Sequence, residues 1–370
     1  MSDDTQPENP KNARPRARQL LLLKLLGAVL ASVTLIEIGA RLLVPKQENV
    51  RLQQFAKVVE GKHEVTFAEV FEWDPERFWR LVPNVSLPED AWPLFGRISN
   101  DRGLREARDL PLEKPAGETR VLFVGDSCIF GYQVAYDESI PELVETNLKQ
   151  ERRGQKIECI NAGVPGYSLF QGWRYLETEG FDFDPDLVVV NFGWNASTPW
   201  DGVGDAEQLE IIRAGRPPAW LGWSRASEIV FEGLAQKRFA RPKKREDGKP
   251  NIRPRLSPDE FGQVLEAIHA ATQKRGVGLM ILVPAMKMNL EGQRMVRTLY
   301  QAKQFEFAGR FVEGAKDAPG LIDGVRILRS FQKQNPKVEI FSDGVHTTAA
   351  ANVRLAERIS GRINAWLQAR

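Results

Sequence analysis

The sequence predicts an α/β fold in which a parallel sheet is covered by helices on both faces. From Thr119 onward, short apolar runs alternate with longer amphipathic segments, which is the pattern of successive strand–helix–strand units. The run "DLVVVNFG" (186–193) is apolar and rich in β-branched residues, as expected of a strand buried on both faces. In "RVLFVGDSCIFGY" (120–132) an apolar run ends in a tight Gly-Asp-Ser turn, and open α/β sheets place their sites at such strand ends.

Five strands and four helices are predicted in this region. The strands are the apolar runs at 121–124, 156–161, 186–193, 277–284 and 321–325. Capping signals predict three helix starts, which are Ser139 with Glu142, Ser168 with Gln171, and Ser257 with Glu260. A closing amphipathic helix is predicted from Thr347 to about Gln368.

The amino terminus predicts a membrane anchor. Residues 1–19 are polar and contain prolines, which is typical of a disordered tail. Residues 20–44 form an apolar run long enough to cross a bilayer, with Glu37 and Arg41 spaced to pair on one helix face. Basic residues precede this run, so the positive-inside rule puts the tail in the cytoplasm and the following chain in the periplasm or outside the cell.

An uncleaved signal anchor is favoured over a cleaved signal peptide, because no small-residue cleavage site follows the apolar run. A soluble amphipathic or buried helix is the remaining alternative. The membrane is therefore the predicted partner of this segment.

Composition excludes several classes of protein. A net charge of +2 is too small to indicate a nucleic-acid-binding protein. The two cysteines, Cys128 and Cys159, provide no disulfide framework and no zinc motif, and we expect them to be buried free thiols. No Gly-x-Gly-x-x-Gly or P-loop signature is present, which disfavours a flavin or nucleotide binder on a similar sheet, and we expect neither cofactor nor metal.

An aromatic-rich, irregular lead-in at 45–118 is predicted to pack on the main domain, 119–370. Within it, Asn100 to Gly103 have turn chemistry suited to closing a short hairpin.

Two insertions, 197–256 and 287–318, interrupt the main domain. The first contains a basic run at 236–255, interpreted as a solvated loop or, alternatively, as a contact for anionic headgroups or an acidic polysaccharide. The second is helical in pattern and predicts a lid over the site.

Ser127, in the Gly-Asp-Ser turn, is the candidate nucleophile. Such a tripeptide is also ordinary turn chemistry, so the hypothesis depends on a base. His346 is the best of the three histidines, because it lies just before the last helix with Asp343 three residues earlier. His63 lies in the lead-in and His269 in the middle of a predicted helix, so neither has a place at a strand end.

Acyl transfer also requires donors for an oxyanion. The Ser127 N–H, a glycine of "NAGVPGYS" (161–168) and the Asn195 side-chain amide all follow predicted strands. In a parallel sheet these strand ends meet at one edge.

In these four blocks, "GDS", "NAGVPGYS", "GWNAS" and "DGVHTT", the chain resembles the SGNH (GDSL) hydrolase superfamily over about residues 119–368. The resemblance implies a flavodoxin-like three-layer α/β/α sandwich with a Ser127–His346–Asp343 triad. It also implies an oxyanion hole of Ser127, Gly166 and Asn195, with Gly163 as the alternative glycine. Ala196 departs from the family pattern, in which many members carry an aspartate after the asparagine.

The resulting expectation is a serine esterase of the cell envelope that removes an acyl group, such as acetyl, from a carbohydrate or similar ester. An O-acyltransferase of an envelope or exported polysaccharide has the same triad and is the first alternative. A non-catalytic binding module on this fold is the second. Water and sugar compete for the same acyl-enzyme, so the exclusion of water from the cleft separates the first two readings.

Overall fold

A computed structural model describes residues 13–44, 67–89, 91, 94–199, 202–239, 252–291, 297–311 and 320–369. The chain divides into two compact units. One comprises 1–49 with 211–240, and the other comprises 50–210 with 241–370. His63, most of the basic run and part of the second insertion lie outside the described residues.

The described helices and strands alternate along the chain. The strands are β1 (Phe71–Asp74), β2 (Phe78–Leu81), β3 (Ser86–Leu87), β4 (Gly96–Arg97), β5 (Glu118–Gly125), β6 (Lys156–Gly163), β7 (Leu187–Asn191), β8 (Gly278–Val283) and β9 (Gly320–Asp323). The helices are α1 (Ala13–Leu43), α2 (Phe67–Val70), α3 (Ser127–Phe130), α4 (Ile140–Glu151), α5 (Leu169–Thr178), α6 (Trp194–Ser197), α7 (Asp205–Ala214), α8 (Arg225–Arg238), α9 (Pro258–Arg275), α10 (Lys287–Leu290), α11 (Leu299–Gly309), α12 (Gly324–Gln334) and α13 (Ala349–Gln368).

The larger unit is built on a five-stranded sheet in the order β6-β5-β7-β8-β9. Every neighbouring pair in it is parallel. Numbered along the chain, its strands stand in the order 2-1-3-4-5, which is the flavodoxin-like arrangement. The connection from β5 leads to β6 on one side, and the next connection leads to β7 on the other side of β5. The topological switch point therefore lies at the carboxyl ends of β5 and β7, where open sheets form their crevice. The predicted three-layer fold is confirmed.

The strands alternate their side chains between two apolar layers. On one face, Val121, Phe123 and Val189 belong to a buried cluster that α4, α12 and α13 complete. On the other face, Leu122 and Val188 are fully buried, and α5, α9 and α11 cover the sheet. Burial on both faces explains why these strands are continuous apolar runs in the sequence.

Two of the predicted caps form and one does not. Ser168 with Gln171 and Ser257 with Glu260 make reciprocal capping boxes. Ser139 precedes α4 but its side chain makes no capping hydrogen bond, and the Glu142 carboxylate accepts a short hydrogen bond from the Tyr136 hydroxyl.

One prediction about the irregular segments is wrong. Asn100 to Gly103 form a hydrogen-bonded turn without strands, whereas the hairpins of the lead-in are β1–β2 and β3–β4. In the second insertion, Gln301 of α11 donates to the Pro284 carbonyl at 2.6 Å and Gln304 to the Phe192 carbonyl at 3.1 Å. These buried amides hold α11 on the carboxyl ends of β7 and β8.

The smaller unit consists mainly of α1 and α8, which pack on each other. Among the described helices, α1 alone is long and apolar enough to cross a membrane, over the 26 residues Arg18–Leu43. The predicted pair between Glu37 and Arg41 is confirmed at 2.6 Å. The predicted disorder of 1–19 is wrong over 13–19, where α1 has already begun.

Candidate active site

Ser127 lies where β5 ends and α3 begins, so that its hydroxyl stands at the carboxyl edge of the sheet. The turn needs a glycine before it, because a Cβ on Gly125 would lie 2.3 Å from the Ile129 side chain. Asp126 caps α3 by accepting a hydrogen bond from the Cys128 N–H at 2.9 Å. The sharp turn therefore fixes the direction of the Ser127 side chain.

The structure brings Ser127, His346 and Asp343 together. His346 Nε2 lies 2.8 Å from Ser127 Oγ, and His346 Nδ1 lies 2.6 Å from Asp343 Oδ2. With its Nδ1–H donated to the carboxylate, the imidazole presents an unprotonated Nε2 to the serine O–H. This arrangement can remove the hydroxyl proton as Oγ attacks a carbonyl carbon.

The loop before α13 and the ring of Tyr132, which follows α3, together fix the imidazole of His346. The second oxygen of Asp343 accepts hydrogen bonds from the backbone N–H groups of Val345 and His346, each at 2.8 Å. The ring of Tyr132 packs against the imidazole at 4.5 Å between centroids. Partial burial acts to raise the pKa of Asp343, but the hydrogen bonds from His346 and Val345 outweigh it and lower that pKa. The carboxylate therefore stays charged beside the imidazole.

The backbone N–H groups of Ser127 and Gly166 are the two available oxyanion donors. In the described part of the chain, neither has a hydrogen-bond acceptor. Gly166 has a φ of +81°, a conformation that glycine adopts without strain. Gly163 is a poor candidate, because its N–H already donates to Asn161 Oδ1 at 3.0 Å and a Cβ there would lie 2.3 Å from Phe130 N. The geometry thus favours Gly166 over Gly163.

Asn195 reaches the same edge from the first turn of α6. Its amide nitrogen donates to the Tyr167 carbonyl at 3.1 Å and lies 3.4 Å from Asp126 Oδ2. The shorter bond anchors the amide, and the second N–H is held only weakly, so that it can turn to a developing oxyanion. Sequence reasoning missed this contact of Asp126, because it treated that residue only as a turn former.

Arg255 is a second missed residue, and it supports the oxyanion loop. It is 4% exposed, and its guanidinium donates to the Gly166 carbonyl at 2.7 Å. The same group binds both oxygens of buried Asp205, at 3.0 and 3.1 Å, and makes a short bond to Gln171. Arg255 was interpreted as the end of a solvated basic loop, and for this residue the interpretation is wrong. The partners of Arg255 are far away in the sequence, so nothing in the basic run indicates that this arginine is buried.

The remaining candidates lie away from this cluster. His269 is buried in α9 against the rings of Phe307 and Phe311. Cys128 and Cys159 are free thiols, as predicted, but only Cys159 is buried and Cys128 is partly exposed. Desolvation raises the pKa of both thiols well above the ordinary value, so neither has the lowered pKa of a reactive cysteine.

Neither a family model nor a curated relative matches the chain. It is similar to solved lipase and acetyl xylan esterase structures. These include the lipase/acylhydrolase of Enterococcus faecalis, with 18% identity over 67% of this chain and 96% of that chain and a TM-score of 0.40. An acetylxylan esterase of Geobacillus stearothermophilus has 16% identity over 66% and 94%, with a TM-score of 0.42. A GDSL-like lipase of Parabacteroides merdae has 12% identity over 68% and 94%, with a TM-score of 0.43.

Proposed function

We propose that the chain is a serine esterase that acts through an acyl-serine intermediate. The observation that carries the proposal is the continuous relay from Ser127 Oγ through the imidazole of His346 to the Asp343 carboxylate, at 2.8 and 2.6 Å. Such a relay beside two unengaged backbone N–H groups provides both a base and an oxyanion site.

In the first half-reaction, Ser127 Oγ attacks the ester carbonyl carbon and His346 Nε2 takes the hydroxyl proton. The carbonyl oxygen becomes an oxyanion that accepts from the N–H groups of Ser127 and Gly166 and from Asn195. When the tetrahedral intermediate collapses, the ester C–O bond breaks and His346 returns its proton to the leaving alkoxide. Water then repeats the sequence on the acyl-serine, releasing the acid and restoring the serine hydroxyl.

The proposed substrate is an acetylated or similarly acylated carbohydrate. Its support is Trp194, which directly precedes Asn195 and is 45% exposed. A flat exposed indole suits the apolar face of a sugar ring. The proposed place of action is the cell envelope, supported by the apolar helix Arg18–Leu43 and the basic residues before it, which favour an anchor with its amino terminus in the cytoplasm.

The test compares variants of the full-length protein in detergent on a nitrophenyl ester. Ser127→Ala and His346→Ala are each expected to abolish most turnover, and the double variant is expected to lose little more, because the two groups act as a unit. Labelling by a serine-directed phosphonate should disappear in Ser127→Ala and persist in Cys128→Ala, the matched neighbour. If Ser127→Ala keeps its activity or its label, the proposed nucleophile is wrong.

A second substrate tests the carbohydrate proposal separately. Trp194→Ala is expected to raise KM for an acetylated xylo-oligosaccharide several-fold while leaving KM for the nitrophenyl ester unchanged. Equal effects on both substrates would contradict a sugar contact. Following free acetate and acetylated acceptor sugar together distinguishes hydrolysis from acyl transfer.

A further inference from the structure

The carboxylate of Glu37, within the apolar helix α1, is bound by the first turn of α8. Its Oε1 accepts from Arg225 N at 2.9 Å, and its Oε2 accepts from Ser224 Oγ at 2.9 Å and Ala226 N at 3.1 Å. Arg41, one turn further along α1, donates to the Trp223 carbonyl at 2.7 Å. A carboxylate from one helix thus caps the amino terminus of the other, and the segment before α8 is tied to the last two turns of α1.

The length of α1 sets the level of this junction in a bilayer. The 26 residues from Arg18 to Leu43 span about 39 Å at about 1.5 Å per residue, against a hydrocarbon core of about 30 Å. About six residues therefore lie beyond the core. Glu37 and Arg41 are charged, whereas Lys24 near the other end has a long side chain that can extend to the headgroups, so we assign this excess to the end that follows Glu37. The junction with α8 then lies at the boundary between hydrocarbon and headgroups.

Large apolar side chains are exposed on the segment tied to this junction. Trp220 and Trp223 are 73% and 62% exposed, and Val230 and Leu234 are 57% and 58% exposed. A spacing of four residues puts Val230 and Leu234 on one side of α8, and Trp223 lies just before the Ser224 cap of that helix. Trp223 Nε1 also donates to the Trp220 carbonyl at 3.0 Å, which keeps the two indoles in one turn. Tryptophan is enriched at this depth of a bilayer, where an indole meets both hydrocarbon and water.

We propose that Trp220, Trp223, Val230 and Leu234 form an interfacial surface that docks into the bilayer beside α1. The inference rests on α1 being a membrane span, and it goes beyond the proposed esterase activity. The bilayer is the occupant because the surface is hydrogen-bonded to the span at the level of the headgroups, where lipid surrounds it without any association step. The first insertion would thereby give the protein a second membrane contact.

The test uses tryptophan fluorescence of the full-length protein in phosphatidylcholine vesicles, with and without lipids brominated near the headgroup. The sequence contains nine tryptophans and none of them lies in 18–43, so Trp220 and Trp223 contribute about a fifth of the emission. We expect brominated lipid to remove about that fraction. The double variant Trp220→Phe/Trp223→Phe should lose this quenching, whereas the matched control Trp366→Phe should keep it. Flotation of the double variant with the vesicles in a density gradient shows that its span is still inserted.

Each other outcome overturns the inference. A protein that floats with the vesicles but is not quenched, or a double variant that is quenched as strongly as the parent, refutes the interfacial surface. Unquenched emission together with disulfide-linked dimers of Leu234→Cys would assign the surface to a second copy of the chain. A chain that fails to float refutes both the span and the surface. Esterase activity in detergent is measured independently, so it distinguishes these failures from failure of the proposed function.

Discussion

Variants of Arg255 should show separately how this arginine stabilises the folded chain and how it positions the oxyanion donor of Gly166. Arg255 and Asp205 form a buried ion pair, and the same guanidinium holds the Gly166 carbonyl. Arg255→Met leaves Asp205, which is 1% exposed, without its cation. Breaking a buried pair in this way lowers the free energy of unfolding by about 3–5 kcal/mol. At about 2–4 °C per kcal/mol, Tm should fall by about 6–20 °C.

The double variant Arg255→Met/Asp205→Leu distinguishes the two roles of the arginine. Because it removes both buried charges together, it should recover most of the lost stability. It cannot restore the bond to the Gly166 carbonyl, so the oxyanion donor on that residue stays poorly positioned. Misplacement of about 1 Å is worth up to about 100-fold in rate, and we expect kcat to remain at least about tenfold low with KM little changed.

The assay is thermal unfolding together with kcat and KM on a nitrophenyl ester, for the parent, both variants and Arg253→Met. Arg253 is the matched control, since its pairs with Glu207 and Glu260 are partly exposed and such pairs contribute about 1 kcal/mol or less. A parental Tm for Arg255→Met would refute the buried pair. A parental kcat for the double variant would show that the Gly166 donor does not depend on the arginine.

Three further predictions follow from single side chains. Asp343→Asn should lower kcat by about 1000-fold or more yet less than Ser127→Ala, because it misorients the imidazole without removing it; an unchanged kcat would exclude Asp343 from the relay. Burial raises the pKa of Glu106 well above its ordinary value, although the hydrogen bond that its carboxylate accepts from the Asn161 N–H acts to lower that pKa. The native state then keeps a proton that the unfolded chain releases above about pH 4.3, so stability falls as pH rises through the folded pKa. In Glu106→Gln, Tm should therefore change less with pH between about pH 4.3 and the raised folded pKa than it does in the parent. The same pH dependence of Tm in both proteins would refute this. Glu37→Ala should speed amide exchange in the first turn of α8 about fivefold, for a lost cap of about 1 kcal/mol, without changing exchange in α9.

Local patterns determined much of the architecture. The five strands coincide with the five predicted apolar runs to within a few residues, because a strand buried on both faces excludes polar residues throughout. The caps at Ser168 and Ser257 were visible in the sequence because their partners are three residues away, but Ser139 has the same spacing and makes no cap. The residues of the candidate site were also identifiable, since each follows a strand or precedes the last helix. Parallel topology then brings them to one edge, although Ser127 and His346 are 219 residues apart.

Tertiary contacts decided what local patterns leave open. Gly163 and Gly166 look alike in the sequence, but in the folded chain the Gly163 N–H already donates to Asn161 Oδ1 and its backbone packs against α3, which disfavours it as an oxyanion donor. Arg255 ends a basic run, and only its contacts with Asp205 and Gly166, 50 and 89 residues away, make it a buried support. For Glu37 the sequence showed only the pairing with Arg41, whereas the first turn of α8 supplies three further donors. For Arg255 and Glu37 the deciding partners are distant in sequence, and a polar residue carries no local sign of such a partner.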